Sequence, residues 1–91
     1  MHHSRKRAIV TGNVQGVGFR YTARREAEKL GLVGFVRNRS DGSVETEFEG
    51  TDVALSTFIA WLNDGPPGAT VSSVIVEDAV PAGGSSFEVR A

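Results

Sequence analysis

The sequence predicts an α+β fold in which two helices pack on one face of a mostly antiparallel β-sheet. Three observations support this prediction: the order of segments with strand-like and helix-like periods, the strict alternation of one central segment, and the glycine and proline breaks between segments. The predicted order is strand, helix, strand, strand, helix, strand, strand. A split βαβ sandwich, the ferredoxin-like arrangement, accommodates this order.

The first strand and the first helix are predicted from a change of hydrophobic period. Residues 7–14 alternate apolar and polar side chains, which indicates a half-buried strand that ends near Val14. After the glycine-bearing segment 15–18, apolar side chains recur at the spacing of a helix, and we expect them on its apolar face. These residues are Tyr21, Ala23, Ala27 and Leu30. Gly31 is predicted to end the helix.

The next two strands are predicted to form a hairpin. Residues 34–38 are the first of them, and Ser40-Asp41-Gly42 supplies the turn. In the second strand, apolar or threonine side chains alternate with glutamates. The alternating residues are Val44, Thr46 and Phe48, and Glu45, Glu47 and Glu49. One face of this strand is therefore expected to meet the core, and the glutamate face to meet water.

A second helix follows, and Thr51 or Asp52 is predicted to cap it. Its apolar side chains follow the i, i+3, i+4, i+7 pattern of an amphipathic helix. They are Leu55, Phe58, Ile59 and Leu62. Gly65-Pro66-Pro67 stops this helix, and residues 71–80 and 87–90 are predicted as the closing strands.

One domain is expected, because the chain has 91 residues, 40% of them hydrophobic, and shows no linker or repeat. We assign residues 6–91 to this domain and residues 1–5 to a flexible N-terminal tip. His2 and His3 in the tip are interpreted as tag or solvated-tail residues. The absence of cysteine excludes disulfides, iron–sulfur clusters and thiolate zinc sites. No membrane span or secretory signal is recognisable, so a cytoplasmic protein is expected.

The charges are distributed unevenly along the chain. Nine of the ten basic residues precede residue 40, whereas nine of the eleven acidic residues follow it. The basic half could attract a phosphate ester or a nucleic acid, or it could be a solvated face without a partner.

The segment between the first strand and the first helix is the best candidate for a binding site. Its position at a helix N-terminus presents unpaired backbone N–H groups to an anion, and Gly16 and Gly18 carry no side chain that would block the approach. Arg20 adds a charged fork that can hold two phosphate oxygens. The segment matches neither a Walker loop nor a dinucleotide fingerprint. Taken singly, the two glycines are also compatible with a tight turn, and Arg20 with a surface ion pair.

Two separated motifs together resemble the acylphosphatase family. The first is VTGNVQGVGFR at residues 10–20, and the second is GFVRN at residues 34–38, followed by Gly42, Val44 and Gly50. The resemblance extends over essentially the whole chain, because its length and its order of helices and strands agree with those of the family.

The resemblance implies hydrolysis of an acyl phosphate, the mixed anhydride of a carboxylic acid and phosphate, without a cofactor or a metal. It implies that Arg20 and Asn38 are the catalytic residues, with Asn38 orienting the attacking water. It also implies a phosphate-binding loop. The loop consists of Gln15, Gly16, Val17, Gly18, Phe19 and Arg20. The expected partner is a small-molecule acyl phosphate, with no nucleic acid and no membrane, and the expected state is a monomer.

Three alternatives stay open at this point. Gly18 also occurs in VQGVGFR segments of the acylphosphatase-like domain of a hydrogenase-maturation protein that uses carbamoyl phosphate. An RNA-binding or a ligand-binding sandwich without turnover would share the architecture, although three glutamates stand where RNA-recognition domains carry strand aromatics.

Arg39 follows Asn38 where family members often carry a hydroxyl residue, so the hydrogen bonding around Asn38 is expected to differ.

Overall fold

The computed structural model describes residues 3–91, and within them it contains five strands and two helices. In chain order they are β1 (His3–Asn13), α1 (Phe19–Lys29), β2 (Val33–Asn38), β3 (Val44–Thr51), α2 (Asp52–Asp64), β4 (Thr70–Ala79) and β5 (Phe87–Arg90). This order is the predicted one, and the α+β class is confirmed. Neither helix is long and apolar enough to cross a membrane.

The five strands form one sheet in the order β4-β1-β3-β2-β5. All neighbouring strands are antiparallel except β2 and β5, which run parallel. Helix α1 packs over β2 and β5, α2 packs over β3 and β4, and the helices contact each other. Because β1 and β2 both flank β3, the N-terminal end of α1 lies close to the C-terminal end of β2.

The core lies between the sheet and the helices, and Phe58 of α2 is at its centre. The Phe58 ring meets Phe48 of β3 edge to face at 4.9 Å between centroids, and it meets Phe87 of β5 at 5.9 Å. At the start of α1, Phe19 is buried against Trp61 of α2 at 5.3 Å. Packing of this kind holds the first turn of α1 in a fixed position relative to the sheet.

Strand β1 begins earlier than its side-chain pattern predicted. His3 is paired with Thr51 of β3, and Arg5 is paired with Glu49 of β3 and Ala79 of β4. Backbone pairing with β3 from His3, and also with β4 from Arg5, extends the strand through residues whose side chains do not alternate. Residues 1–2, which include His2, lie outside the described residues, and the domain boundary at residue 6 stays a prediction.

The first turn of α1 corrects one sequence prediction. The side chains buried by the helix are Phe19, Ala23 and Ala27, at a spacing of four residues, whereas Tyr21 is 61% exposed. At about 100° per residue, Tyr21 lies on the opposite side of the helix from Phe19 and Ala23. The expectation that Tyr21 belongs to the apolar face is therefore wrong.

The glutamate face of β3 is also different from the prediction, because arginines of the neighbouring strands cover it. The Arg5 guanidinium lies 2.7 Å from a Glu47 oxygen and 3.2 Å from a Glu49 oxygen. Arg5 itself is 7% exposed. Three of the nine basic residues of the N-terminal half, Arg5, Arg7 and Arg37, have carboxylate partners on this face.

Glu45 is the most enclosed member of this face. Its side chain is 7% exposed, and it lies between Arg7 Nε at 2.7 Å and Arg37 Nη2 at 2.5 Å. Burial alone would raise the pKa of Glu45, but the hydrogen bond from Arg7 and the adjacent positive charge of Arg37 outweigh it and hold the pKa below its usual value. Glu49 also has a lowered pKa, chiefly because the backbone N–H of Ala82 donates to it.

These lowered pKa values predict acid sensitivity of the fold. A carboxylate with a depressed folded-state pKa stabilises the protein above its unfolded-state pKa, near 4.5 for glutamate, and this contribution is lost as the pH falls through the folded-state value. We expect the melting temperature to fall steeply below about pH 4.5. Thermal melts between pH 7 and pH 3 measure this effect.

Glu45→Gln should make the fall in melting temperature between pH 5 and pH 3 smaller than in the parent protein. Glu28→Gln is the matched control, because Glu28 is exposed on α1 and forms no ion pair among residues 3–91. An acid-induced fall that is identical in Glu45→Gln and in the parent would contradict the proposed contribution of Glu45.

Candidate active site

The candidate site is built on residues 14–18, which connect β1 to α1. Gly16 and Gly18 both have a φ of 76°, a conformation that side chains other than glycine adopt at a cost. A Cβ at either position would contact no other atom within 4 Å, so the requirement for glycine here is conformational. Gly18 is the N-cap of α1, and no side chain caps this helix end.

The backbone N–H groups of this connection are free to bind a ligand. The first helical hydrogen bond of α1 runs from Thr22 N to Gly18 O at 3.1 Å. The N–H groups of residues 16–20 have no acceptor within the described range 3–91. Together with the positive end of the α1 dipole, these groups form a cradle for an anion.

Arg20 lies at the mouth of this cradle and is anchored from one side. Its Nη1 donates to the backbone carbonyl of Arg90 at the end of β5, at 2.7 Å. No carboxylate among residues 3–91 forms an ion pair with Arg20, so its charge is not neutralised. One of its five donors is thus used to fix the guanidinium, and the others are available to a ligand.

Asn38 is the last residue of β2 and is brought to the same place by the sheet. It is paired with Val44 of β3, and its side-chain amide forms no hydrogen bond with any other residue that the structure describes. Arg39, which follows it, enters the local hydrogen bonding through its backbone carbonyl. Its guanidinium reaches Asp41 only at 4.0 Å.

Gln15 connects the two halves of the site. Its Nε2 donates to the carbonyl of Arg39 at 2.8 Å and to the carbonyl of Ser43 at 2.9 Å. These two carbonyls are at either end of the turn between β2 and β3. The same turn is closed by Asp41, whose Oδ1 accepts from Ser43 Oγ and from Ser43 N, and these hydrogen bonds lower the pKa of Asp41. Gln15 therefore tethers the anion cradle to the turn that begins immediately after Asn38.

A pocket of about 110 Å³ lies where these elements meet. It is lined by Val14, Gly16, Gly18, Phe19, Arg20, Tyr21 and Asn38. The two residues expected to be catalytic thus share one pocket with most of the expected loop. Gln15 and Val17 do not line it, whereas Val14, which belongs to the first motif, and Tyr21 do. Tyr21 was not predicted to line the site, because its spacing matched a core position.

Three of the nine basic residues of the N-terminal half, Arg20, Arg24 and Arg25, form no ion pair within residues 3–91, and all three are on α1. Of these, only Arg20 lines the pocket. The pocket lining contains no carboxylate and no histidine. Among the residues described, no group of three metal-binding side chains occurs. The arrangement favours an anion bound by N–H groups and by Arg20.

Comparison with known proteins gives a consistent result. A family model described as acylphosphatase matches residues 6–89. An acylphosphatase of Azoarcus sp. (strain BH72) is 51% identical over 79 residues, which are 87% of this chain and 81% of that relative. Residues 6–89, which the family model matches, include both motifs.

Solved structures agree with the sequence comparison. The structure of an acylphosphatase from Coxiella burnetii has a TM-score of 0.94 and 41% identity, and the match covers 97% of this chain and 93% of that chain. The full-length HypF structure in its phosphate- and nucleotide-bound form has a TM-score of 0.92 and 26% identity, but the match covers only 12% of that chain.

The geometry predicts that inorganic phosphate binds in this pocket. In a phosphate titration followed by NMR, the amide resonances of residues 16–20 should shift most. Arg20→Ala should weaken binding by roughly tenfold or more, because it removes a charge-assisted hydrogen bond. Arg25→Ala removes an equal charge from the exposed side of the same helix and should weaken binding by less than about threefold. Equal losses in the two variants would show that only the overall charge matters.

Proposed function

This chain belongs to the acylphosphatase family and hydrolyses acyl phosphates to a carboxylate and inorganic phosphate, and we propose that the loop of residues 15–20, Arg20 and Asn38 carry out this reaction. The observation that carries the proposal is the shared pocket, in which Arg20 and Asn38 lie beside N–H groups that have no acceptor in the described part of the chain. Each component has a chemical task that its position supports.

The N–H groups of the loop and the Arg20 guanidinium hold the oxygens of the phosphoryl group. In phosphoryl transfer the transition state is loose, and charge spreads over the oxygens that do not react, so positioning and charge stabilisation supply most of the catalysis. A rigid cradle of backbone donors provides both at no cost of reorganisation. The hydrogen bond from Arg20 to the Arg90 carbonyl supports this role, because it limits the conformations of the guanidinium before substrate binds.

Asn38 orients the water that attacks phosphorus. Its amide oxygen can accept a hydrogen bond from the water, and its NH₂ group can donate to the water or to a phosphoryl oxygen. The amide has no competing partner among residues 3–91. Since β2 and β3 hold its backbone, only the side-chain torsions remain to be fixed when the water binds.

The reaction balances without a protein base. The water oxygen forms a bond to phosphorus, the bond between phosphorus and the acyl oxygen breaks, and the carboxylate leaves with the electron pair. An asparagine amide does not accept a proton at neutral pH, and the pocket lining contains no carboxylate or imidazole. The proton of the water is therefore transferred to a phosphoryl oxygen. None of these steps requires a metal or another cofactor.

The proposal also includes the absence of a nucleic-acid partner. On the sheet face Arg5, Arg7 and Arg37 are paired with glutamates, so that face does not present a continuous positive surface to a phosphate backbone. A cytoplasmic location and a monomeric state are further parts of the proposal, and they depend on the sequence alone.

Asn38→Ala separates catalysis from phosphate binding. It removes the group that orients the water and leaves the cradle intact, so kcat on benzoyl phosphate should fall roughly a hundredfold while the inhibition constant of inorganic phosphate stays within about twofold. Arg20→Ala should instead impair both constants. Steady-state kinetics and a thermal melt of each variant provide the measurement.

Asn63→Ala is the control for the Asn38 substitution. Asn63 is exposed on α2, where its Nδ2 donates to the Ile59 carbonyl at 2.9 Å, and it does not line the pocket. This variant should retain the kcat of the parent protein. A folded Asn38→Ala protein with nearly full kcat would refute the role of Asn38 in orienting the water.

Gln15→Leu tests the tether between the cradle and Asn38. Loss of the two hydrogen bonds should let the turn after Asn38 move, and we expect kcat to fall roughly tenfold because small errors in position are costly. In the Asn38→Ala background the same substitution should reduce kcat less than about twofold, since nothing is left to position. Fully additive losses would show that Gln15 acts independently of Asn38.

A further inference from the structure

The size of the pocket limits what it can enclose. Its volume is about 110 Å³, whereas pockets that enclose a drug-sized ligand measure roughly 300–1,000 Å³. A phosphoryl group held by the cradle, together with the water beside Asn38, takes up such a space. The acyl group of the substrate must then lie at the mouth of the pocket, against whatever side chains the protein exposes there.

Tyr21 is the lining residue that exposes a large apolar surface at this mouth. Among the other lining residues, Val14 and Phe19 are buried in the core, and Gly16 and Gly18 have no side chain. Tyr21 is 61% exposed. Its aromatic ring therefore gains little stabilisation from burial in the core. Tyr21 lines the same small pocket as Arg20, so the acyl substituent of a phosphoryl group held by Arg20 is expected to leave the pocket beside Tyr21.

The orientation of the Tyr21 ring is restrained by its neighbour on the helix. The guanidinium carbon of Arg24, three residues further along α1, lies 5.9 Å from the ring centroid. A cation above one face of a ring is attracted by its quadrupole, which favours a fixed position over free rotation in solvent. The ring thus offers a partly ordered surface, and the other face and the edges are available to a ligand.

We propose that Tyr21 forms an acyl subsite that favours substrates with an aromatic acyl group over those with a short aliphatic one. The inference rests on the proposed function, because the phosphoryl group must be held by Arg20 for the acyl group to reach this ring. An aryl group gains stacking contact and loses water from both rings, whereas the methyl group of acetyl phosphate covers little of the tyrosine. Tyr21 contacts the non-reacting part of the substrate and is a specificity residue.

The experiment compares kcat/KM for benzoyl phosphate and acetyl phosphate in four proteins. They are the parent protein, Tyr21→Ala, Tyr21→Phe and Arg25→Ala. In Tyr21→Ala the ratio of benzoyl to acetyl kcat/KM should fall about three- to tenfold, in line with the contribution of an aromatic pair. Tyr21→Phe keeps the ring and should keep the ratio. Arg25→Ala, an exposed change on the same helix, should also keep it.

Inhibition constants give a readout that does not depend on turnover. Benzoylphosphonate and acetylphosphonate, which lack the reacting P–O–C bond, should show the same loss of discrimination in Tyr21→Ala, while the inhibition constant of inorganic phosphate stays close to that of the parent protein. An unchanged ratio in Tyr21→Ala, for substrates and phosphonates alike, would overturn the acyl subsite. Full activity in both Arg20→Ala and Asn38→Ala would instead overturn the proposed function, so the two failures are distinguishable.

Discussion

The burial of Phe19 immediately after Gly18 is the constraint on which the site depends. Gly18 has a φ of 76°, and this left-handed residue turns the chain so that Phe19 enters the core against Trp61. Helical geometry then places Arg20 and Tyr21 away from the core, at the pocket. An apolar contact therefore fixes the position of a charged group, and the free N–H groups of residues 16–20 are held with it.

Arginine side chains occur in two different environments in this fold. Arg5, Arg7 and Arg37 neutralise glutamates on the glutamate face of β3, and this pairing connects β1, β2 and β3 through their side chains. Arg20 has no carboxylate partner in residues 3–91, so its charge is not neutralised. The composition counts these four arginines equally, although three of them are paired with glutamates. The uneven distribution of charge along the sequence therefore overstates the positive potential that an anion encounters.

The two motifs are functional only when the sheet brings them together. β1 and β2 are not neighbours but both pair with β3, so the residues after β1 and the residues at the end of β2 reach the same edge. Gln15 makes the connection direct through the carbonyls of Arg39 and Ser43. The structure thus explains the glutamine and the glycine of the first motif. Gln15 donates hydrogen bonds to the turn after β2, and Gly16 adopts the positive φ that the connection to α1 requires.

The sequence by itself determined the order of the elements and the class of fold, and it singled out Arg20 and Asn38 as candidates, because hydrophobic periods and the two motifs are local along the chain. Tertiary structure decided the early start of β1, the exposure of Tyr21 and the burial of Glu45. Each of these depends on partners far away in the sequence: Arg7 meets Glu45 only because β1 pairs with β3. The pattern of side chains along the sequence indicates which residues can be buried. The packing of the strands and helices decides which of them are buried.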